Sequence, residues 1–172
     1  MKTKKLVICA LFTAIMCITA PFYFMIGPVP ITFTLFALAL SAFSAGSMSA
    51  AVSTAVYILI GLMGMPVFSG FKGGFSVIAS PTGGFVFAYI FIALILGLCV
   101  KAKRKSTVVL LCTLALLVCY AFGTAWYMLI TDASFVTALG VCIVPFIPFD
   151  IAKLYAAYVV AKAIRKRLKK QM

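Results

Sequence analysis

Apolar runs of about 20 residues recur along the whole chain with no alternating pattern, and this constrains the fold more than anything else in it. A helix rising about 1.5 Å per residue needs that length to cross a hydrocarbon core of roughly 30 Å. An outer-membrane barrel strand would instead alternate apolar and polar residues over about ten positions. With 66% hydrophobic and 10% charged residues and a mean hydropathy of +1.26, an ordinary soluble domain is excluded. The 172 residues are expected to form a single all-α, polytopic membrane domain.

In chain order, six helices are predicted at about 6–26, 31–45, 48–65, 85–100, 107–130 and 148–165. The first follows a basic start, as a signal peptide would, but its run from Leu6 to Ile26 is span-length and has no clear cleavage site. It is read as a retained helix, ended by GPVP (Gly27 to Pro30), where two prolines forbid continuation. Gly46 and Ser47 mark a turn between helices 2 and 3. The stretch from Pro66 to Gly84, with five glycines and two prolines, is a loop whose backbone is too polar to face lipid. A second loop, Thr131 to about Pro145, precedes helix 6.

Charge sets the orientation. The net charge is +13, but thirteen of the fifteen basic residues fall in three blocks: Lys2, Lys4 and Lys5; Lys101 to Lys105; and Lys162 to Lys170. Such juxtamembrane clusters orient a protein and attract anionic membrane lipid, whereas a nucleic-acid partner would need a folded polar domain that this chain lacks. Six spans with both termini cytoplasmic place all three blocks inside; five spans would put two of them outside, against the positive-inside tendency. GPVP, the Gly-rich loop, Asp132 and the start of helix 6 then collect at the outer face. Irregular backbone and polar groups gathered at one end of a bundle describe a pocket open to the outside.

The residues there are few enough to weigh singly. Asp150 and Lys153, in PFIPFDIAK (Pro145 to Lys153), put an acid and a base one helical turn apart, and Asp150 is one of two acidic residues in the chain. Charges in a membrane segment are costly and default to function, although an Asp near a helix start also caps free N–H groups. Gly73, Gly74, Gly83 and Gly84 could present backbone N–H groups to an anion, yet GxxxxGK[ST] is absent, and a lid lined by Phe68, Phe71 and Phe75 fits better. A plain turn is the alternative. Ala10 and Ala14 (AxxxA), and the small-residue band from Ala39 to Ala55, allow close helix approach, either within the bundle or to a partner. Trp126, Tyr127 and Tyr120 serve equally as an interfacial belt or as stacking surfaces. The six cysteines mostly sit in apolar runs and are expected to stay free; with no histidine and no CxxC, no metal or other cofactor is expected.

PVPIT (Pro28 to Thr32), GMPVFSGFKGG (Gly64 to Gly74), PTGGF (Pro81 to Phe85) and PFIPFDIAK together, in order across nearly the whole chain, resemble the BioY family. Those proteins are the biotin-specific substrate-binding S components of energy-coupling-factor (ECF) transporters. The resemblance implies a six-helix protein of a bacterial-type cell membrane that captures biotin at its outer face. Uptake would then be driven by two cytoplasmic ATPases joined through a transmembrane coupling protein, docked on the helix 1 surface at Ala10 and Ala14. The residues fit such a bicyclic ligand: Asp150 can accept ureido N–H bonds, Lys153 can donate to the ureido carbonyl or pair with the carboxylate, Phe68, Phe33 and Trp126 are candidates for covering the apolar rings, and Thr32, Thr34 and Thr82 for hydrogen bonds beside Gly74, Gly83 and Gly84. Thr34 stands where the family usually has glutamine, Ser80 where glycine precedes PTGG, and Phe149 where glycine precedes the Asp.

Two other readings stay open on the sequence alone. One is an S component of the same architecture for another vitamin or a biotin precursor. The other is a membrane-embedded enzyme using Asp150, Asp132 and Lys153, which lacks a nucleophile with a partnered base.

Overall fold

The computed structural model describes residues 3–25 and 29–170. Lys2, the expected helix end at Ile26, and Gly27 and Pro28 of the GPVP break lie outside the described residues.

The first helix, α1 (Thr3–Thr19), is shorter than the 6–26 run suggested. Pro21 follows it, and a proline there removes a helix hydrogen bond and clashes with the preceding turn. The chain instead forms a small antiparallel hairpin, β1 (Tyr23–Met25) and β2 (Pro30–Thr32), with Tyr23 opposite Thr32 and Phe24 opposite Ile31. Helices α2 (Thr34–Ala45) and α3 (Ser47–Leu62) are separated by Gly46 alone. Its φ of +83° is a left-handed turn that side chains resist, and its N–H caps α2 on the Ala42 carbonyl. The Gly-rich segment holds one 3₁₀ turn, Phe75–Val77, and leads into α4 (Gly83–Gly97) with a 3₁₀ extension, Leu98–Val100. Next come α5 (Lys105–Thr131), α6 (Phe135–Cys142) and α7 (Phe146–Lys170).

α6 occupies part of the stretch expected to be a loop, Thr131 to about Pro145. Ser134 caps it, its hydroxyl accepting from the Thr137 N–H at 3.3 Å. It runs on with α7 as one apolar stretch, Phe135–Arg167, broken before Phe146 at Pro145. Among the described residues three segments are long and apolar enough to cross a membrane: Gly83–Val100, Lys105–Thr131 and Phe135–Arg167. α2 and α3 are shorter apolar helices. Counting α6 and α7 as one broken crossing leaves six helical units, so the chain is an all-α membrane protein with a two-stranded hairpin at one end.

α2 is the centre of the bundle. Nine of its twelve residues are buried, and it packs against α1, α3, α4 and α7. In lipid the outer faces need not be hidden, and large apolar side chains such as Leu11, Leu110, Leu117 and Leu129 stand exposed on α1 and α5. The small-residue band of α2 and α3 faces inward, with Ala39, Ala42, Ala50 and Ser53 fully buried, whereas Ala10 and Ala14 lie exposed on α1. The band therefore serves internal packing, and AxxxA is left on the outside.

Two ends can be told apart. At one, Ser47 donates to the Leu94 carbonyl at 2.8 Å and Arg165 to the Val100 carbonyl at 3.3 Å. This places the α2–α3 turn, the α4 end with its basic segment and the basic end of α7 together. At the other end sit the hairpin and the Gly-rich loop, tied by the Gly70 N–H to the Pro21 carbonyl at 3.0 Å.

Candidate functional site

The loop end is built from hydrogen bonds between segments far apart in sequence. The Gly74 N–H donates to the Gly61 carbonyl at the end of α3 (2.7 Å), and the Trp126 indole donates to the Ser80 carbonyl (3.1 Å), pinning the loop to α5. Ser80 also closes a local turn, its hydroxyl reaching the Val77 carbonyl at 2.6 Å and the Thr82 hydroxyl at 2.8 Å. The loop thus roofs the bundle in a defined position.

Beneath it lies a cavity of about 60 Å³. Asp150 and Lys153 of α7 line it, with Thr32 of β2, Thr34 of α2, Phe68 of the loop and Thr82 before α4. Tyr57, Tyr89, Phe85, Cys119 and Phe146 complete much of the wall. Phe85 and Phe146 stack at 6.0 Å, and Tyr57 meets Phe68 edge-on at 5.5 Å. The wall is mostly apolar and aromatic with a few convergent polar groups, the composition of a small-molecule site.

Its charged centre is compact. Lys153 Nζ lies 3.0 Å from Asp150 Oδ1, and the Tyr120 hydroxyl of α5 donates to Asp150 Oδ2 at 3.0 Å. Asp150 is 3% exposed. A buried carboxylate left alone would be costly; here each oxygen has a donor, and each keeps a lone pair for another. Pro148 is tolerated beside it because it falls in the first turn of α7, whose N–H groups have no partner in any case. Asp150 itself sits a turn further in and bonds to side chains, so helix capping is not its role. Among the described residues this is the one ion pair, and no group of three His, Cys, Asp or Glu side chains comes together.

Thr32, Thr34, Phe68, Thr82, Asp150 and Lys153, expected from the sequence, are thus brought to one cavity, and Phe33, Gly74, Gly83, Gly84 and Trp126 are placed beside it rather than in its wall. Phe33 is 39% exposed and packs edge-on against Phe24. Gly83 and Gly84 start α4 hard against Ile78, Phe122 and Trp126, where a larger side chain would not fit. Trp126 holds the loop from outside. Asp132 ends α5 in a left-handed conformation (φ 53°), exposed and away from the cavity wall. Phe149 points outward, 44% exposed, so its bulk does not enter the cavity. The sequence does not single out Tyr57, Tyr89 and Cys119, and Tyr120, expected there as a belt or stacking residue, instead donates a hydrogen bond to Asp150. In wholly apolar spans nothing in the pattern separates a lumen-facing position from a lipid-facing one.

Comparison with known proteins gives a consistent result. A model of the BioY family matches residues 1–170. A Thermotoga maritima protein named biotin transporter BioY is 37% identical over 165 residues, covering 95% of this chain and 96% of that one. A Pyrococcus horikoshii protein named probable biotin transporter BioY is 34% identical, covering 96% and 98%. Among solved structures, one described as the S-component for biotin from an ECF-type ABC transporter superposes with a TM-score of 0.87 at 23% identity, covering 96% of this chain and 92% of that one.

Proposed function

Because this chain belongs to the BioY family, we propose that it is the substrate-binding S component that captures biotin at the outer face of the cell membrane and passes it inward with an ECF module. The observation that carries this reading is the tethered Asp150–Lys153 pair at the base of a largely apolar cavity, under a loop fixed at the end opposite two of the basic blocks. Biotin matches that site in kind: a rigid bicyclic head with ureido donors and acceptor, apolar ring faces and an anionic tail. Asp150 has spare lone pairs for N–H donors and Lys153 has spare protons for a carbonyl, while Thr32, Thr34 and Thr82 add hydroxyls.

The orientation follows from charge. Basic blocks favour the cytoplasmic side, so the end bearing Lys105 and Arg165 faces in and the loop end faces out. Ala10 and Ala14, exposed on α1 among Leu6, Val7, Leu11 and Ile18, form a smooth apolar strip on which a transmembrane coupling protein carrying two ATPases would pack.

Purified protein in detergent is expected to bind radiolabelled biotin, with excess desthiobiotin, lipoate, thiamine and riboflavin as competitors. Asp150→Asn keeps the shape and removes the charge that Lys153 pairs with, so affinity should fall about a hundredfold, in line with the 2–5 kcal/mol lost when one partner of a buried pair is removed. Retention of full affinity by that variant would sink the assignment of the site. Displacement by another vitamin at lower concentration than biotin would replace the ligand.

A further inference from the structure

From Leu6 to Phe71 the chain carries no acidic or basic residue, although this stretch includes the connection between α1 and α2 at the loop end. Connections that run over a water-facing surface are normally polar. Here the side chains that stand out from the hairpin are Phe22 and Phe24, with Phe33 just beyond β2, and all three are exposed. Phe24 meets Phe33 edge-on at 5.9 Å, and Phe22 meets Phe71 of the Gly-rich loop in the same way at 5.9 Å. These contacts gather the rings into one patch without covering them, and an apolar patch of this kind marks an interaction surface.

The length of α1 says what lies against it. Its 17 residues rise about 25 Å, against a hydrocarbon core of roughly 30 Å, and its first turn carries Lys4 and Lys5, which belong among the headgroups. α1 therefore ends short of the opposite surface, and the hairpin that follows fills the remaining depth. The exposed side of α1 runs through Leu11 and Ile18 into Phe22 with no charged residue between them, so the lipid-facing surface of the helix continues onto the hairpin.

The strands separate two faces. Pro30 and Thr32 line the inner cavity, and their partners across the ladder are Met25 and Tyr23. Phe24, opposite Ile31, points the other way, because successive strand residues alternate. We propose that the hairpin is embedded in the outer leaflet, with Phe22, Phe24 and Phe33 seated about 5–10 Å deep at the boundary between headgroups and acyl chains. It goes no deeper, because an open two-stranded hairpin keeps N–H and C=O groups on its outer edges that hydrocarbon cannot satisfy. The hairpin is then a wall with the ligand cavity on one face and lipid on the other. The orientation given above supplies which leaflet this is; the depth is independent of it and of biotin.

The test reads that depth on the full-length protein in nanodiscs, using Phe24→Trp and, as a second reporter, Phe22→Trp. Wild type has Trp126 alone, and its emission is subtracted. Phosphatidylcholine brominated just below the headgroup should quench the added emission more than phosphatidylcholine brominated near the chain ends, and iodide in the buffer should not quench it. Leu117→Trp, on the exposed side of α5 in mid-span, should show the reverse order of the two lipids and calibrates the scale. Unchanged thermal unfolding shows that each variant is folded. Quenching by iodide alone would put the hairpin in water, and shielding from all three quenchers would put it against protein, such as a second copy of this chain; either result overturns the proposal. Stronger quenching by the deep lipid than by the shallow one overturns the depth assigned. Failure of wild type to bind biotin would strike the function proposed above and leave this measurement standing.

Discussion

At the basic end, Gly97 of α4 lies directly against the backbone of Gly46 and Ser47, and the hydroxyls of Ser47, Thr13 and Ser53 bond to main-chain carbonyls of neighbouring helices. At the loop end, the ties run between irregular segments, and a cavity is left open beneath them. Both ends use glycine, serine and aromatic residues. The difference is what those residues approach. Backbone packed on backbone leaves no room and no choice of conformation, and small residues at helix contacts are how bundles cohere in lipid, where there is no hydrophobic drive between helices. Side chains packed on loops leave volume that a ligand can use. Stability is therefore expected to reside at the basic end and affinity at the loop end, and substitutions at matched glycines can separate the two.

The largest effect should come from Gly97→Val. A side chain there overlaps the Ser47 backbone, which cannot swing aside. Overpacking of this kind costs about 3 kcal/mol or more. In detergent, thermal unfolding should move down by about 5–10 °C. The folded fraction that remains should bind biotin within about twofold of wild type. A variant that keeps its Tm but loses affinity would break the division between the ends.

Gly61→Ala is the counterpart at the loop end. Its Cβ would overlap the ring of Phe68, a side chain that can turn, rather than backbone. The stability cost should be about 1 kcal/mol, at the low end for an added methyl. Phe68 lines the inner cavity and rests on Tyr57, so the displaced ring occupies the space meant for the ligand. Biotin affinity should drop about tenfold, measured by titration calorimetry at a temperature where the variant is folded. A large fall in Tm with unchanged affinity would place Gly61 with Gly97 and erase the contrast.

The same division explains what could be read from the sequence. Helix count followed from apolar length, and the pairing of Asp150 with Lys153 followed from their rarity and spacing. The hairpin did not, because Phe22 to Met25 are as apolar as a span; Pro21, just past Thr19, is the one residue that signals the stop. α6 falls in a stretch expected to be a loop, and its one signal in the sequence is Ser134, a preferred N-cap residue ahead of an apolar run. The residues of the cavity wall that the sequence does not single out, Tyr57, Tyr89, Cys119 and Phe146, sit in stretches whose immediate neighbours are mostly apolar. Their inward direction depends on how the helices rotate when packed, which the order of residues does not display.

Tyr120 gives the smallest and most specific comparison. Its hydroxyl reaches Asp150 from α5, while Lys153 reaches the other oxygen from the same helix as Asp150. The Lys153 contact is local and moves with α7; the Tyr120 contact ties two helices and fixes the carboxylate plane. Tyr120→Phe keeps the ring in its buried place and removes one hydrogen bond to a charged group, a change of about 1 kcal/mol that corresponds to roughly fivefold in affinity. If Tyr120 acts by holding Asp150 in position, the loss should appear equally for biotin and for biotinamide, whose carboxylate is a neutral amide, because both present the same head to Asp150. It should also appear as faster release rather than slower capture, since a misaligned buried contact shortens residence. Loss confined to biotin would instead mean that the tail carboxylate, and not the head, lies against α7.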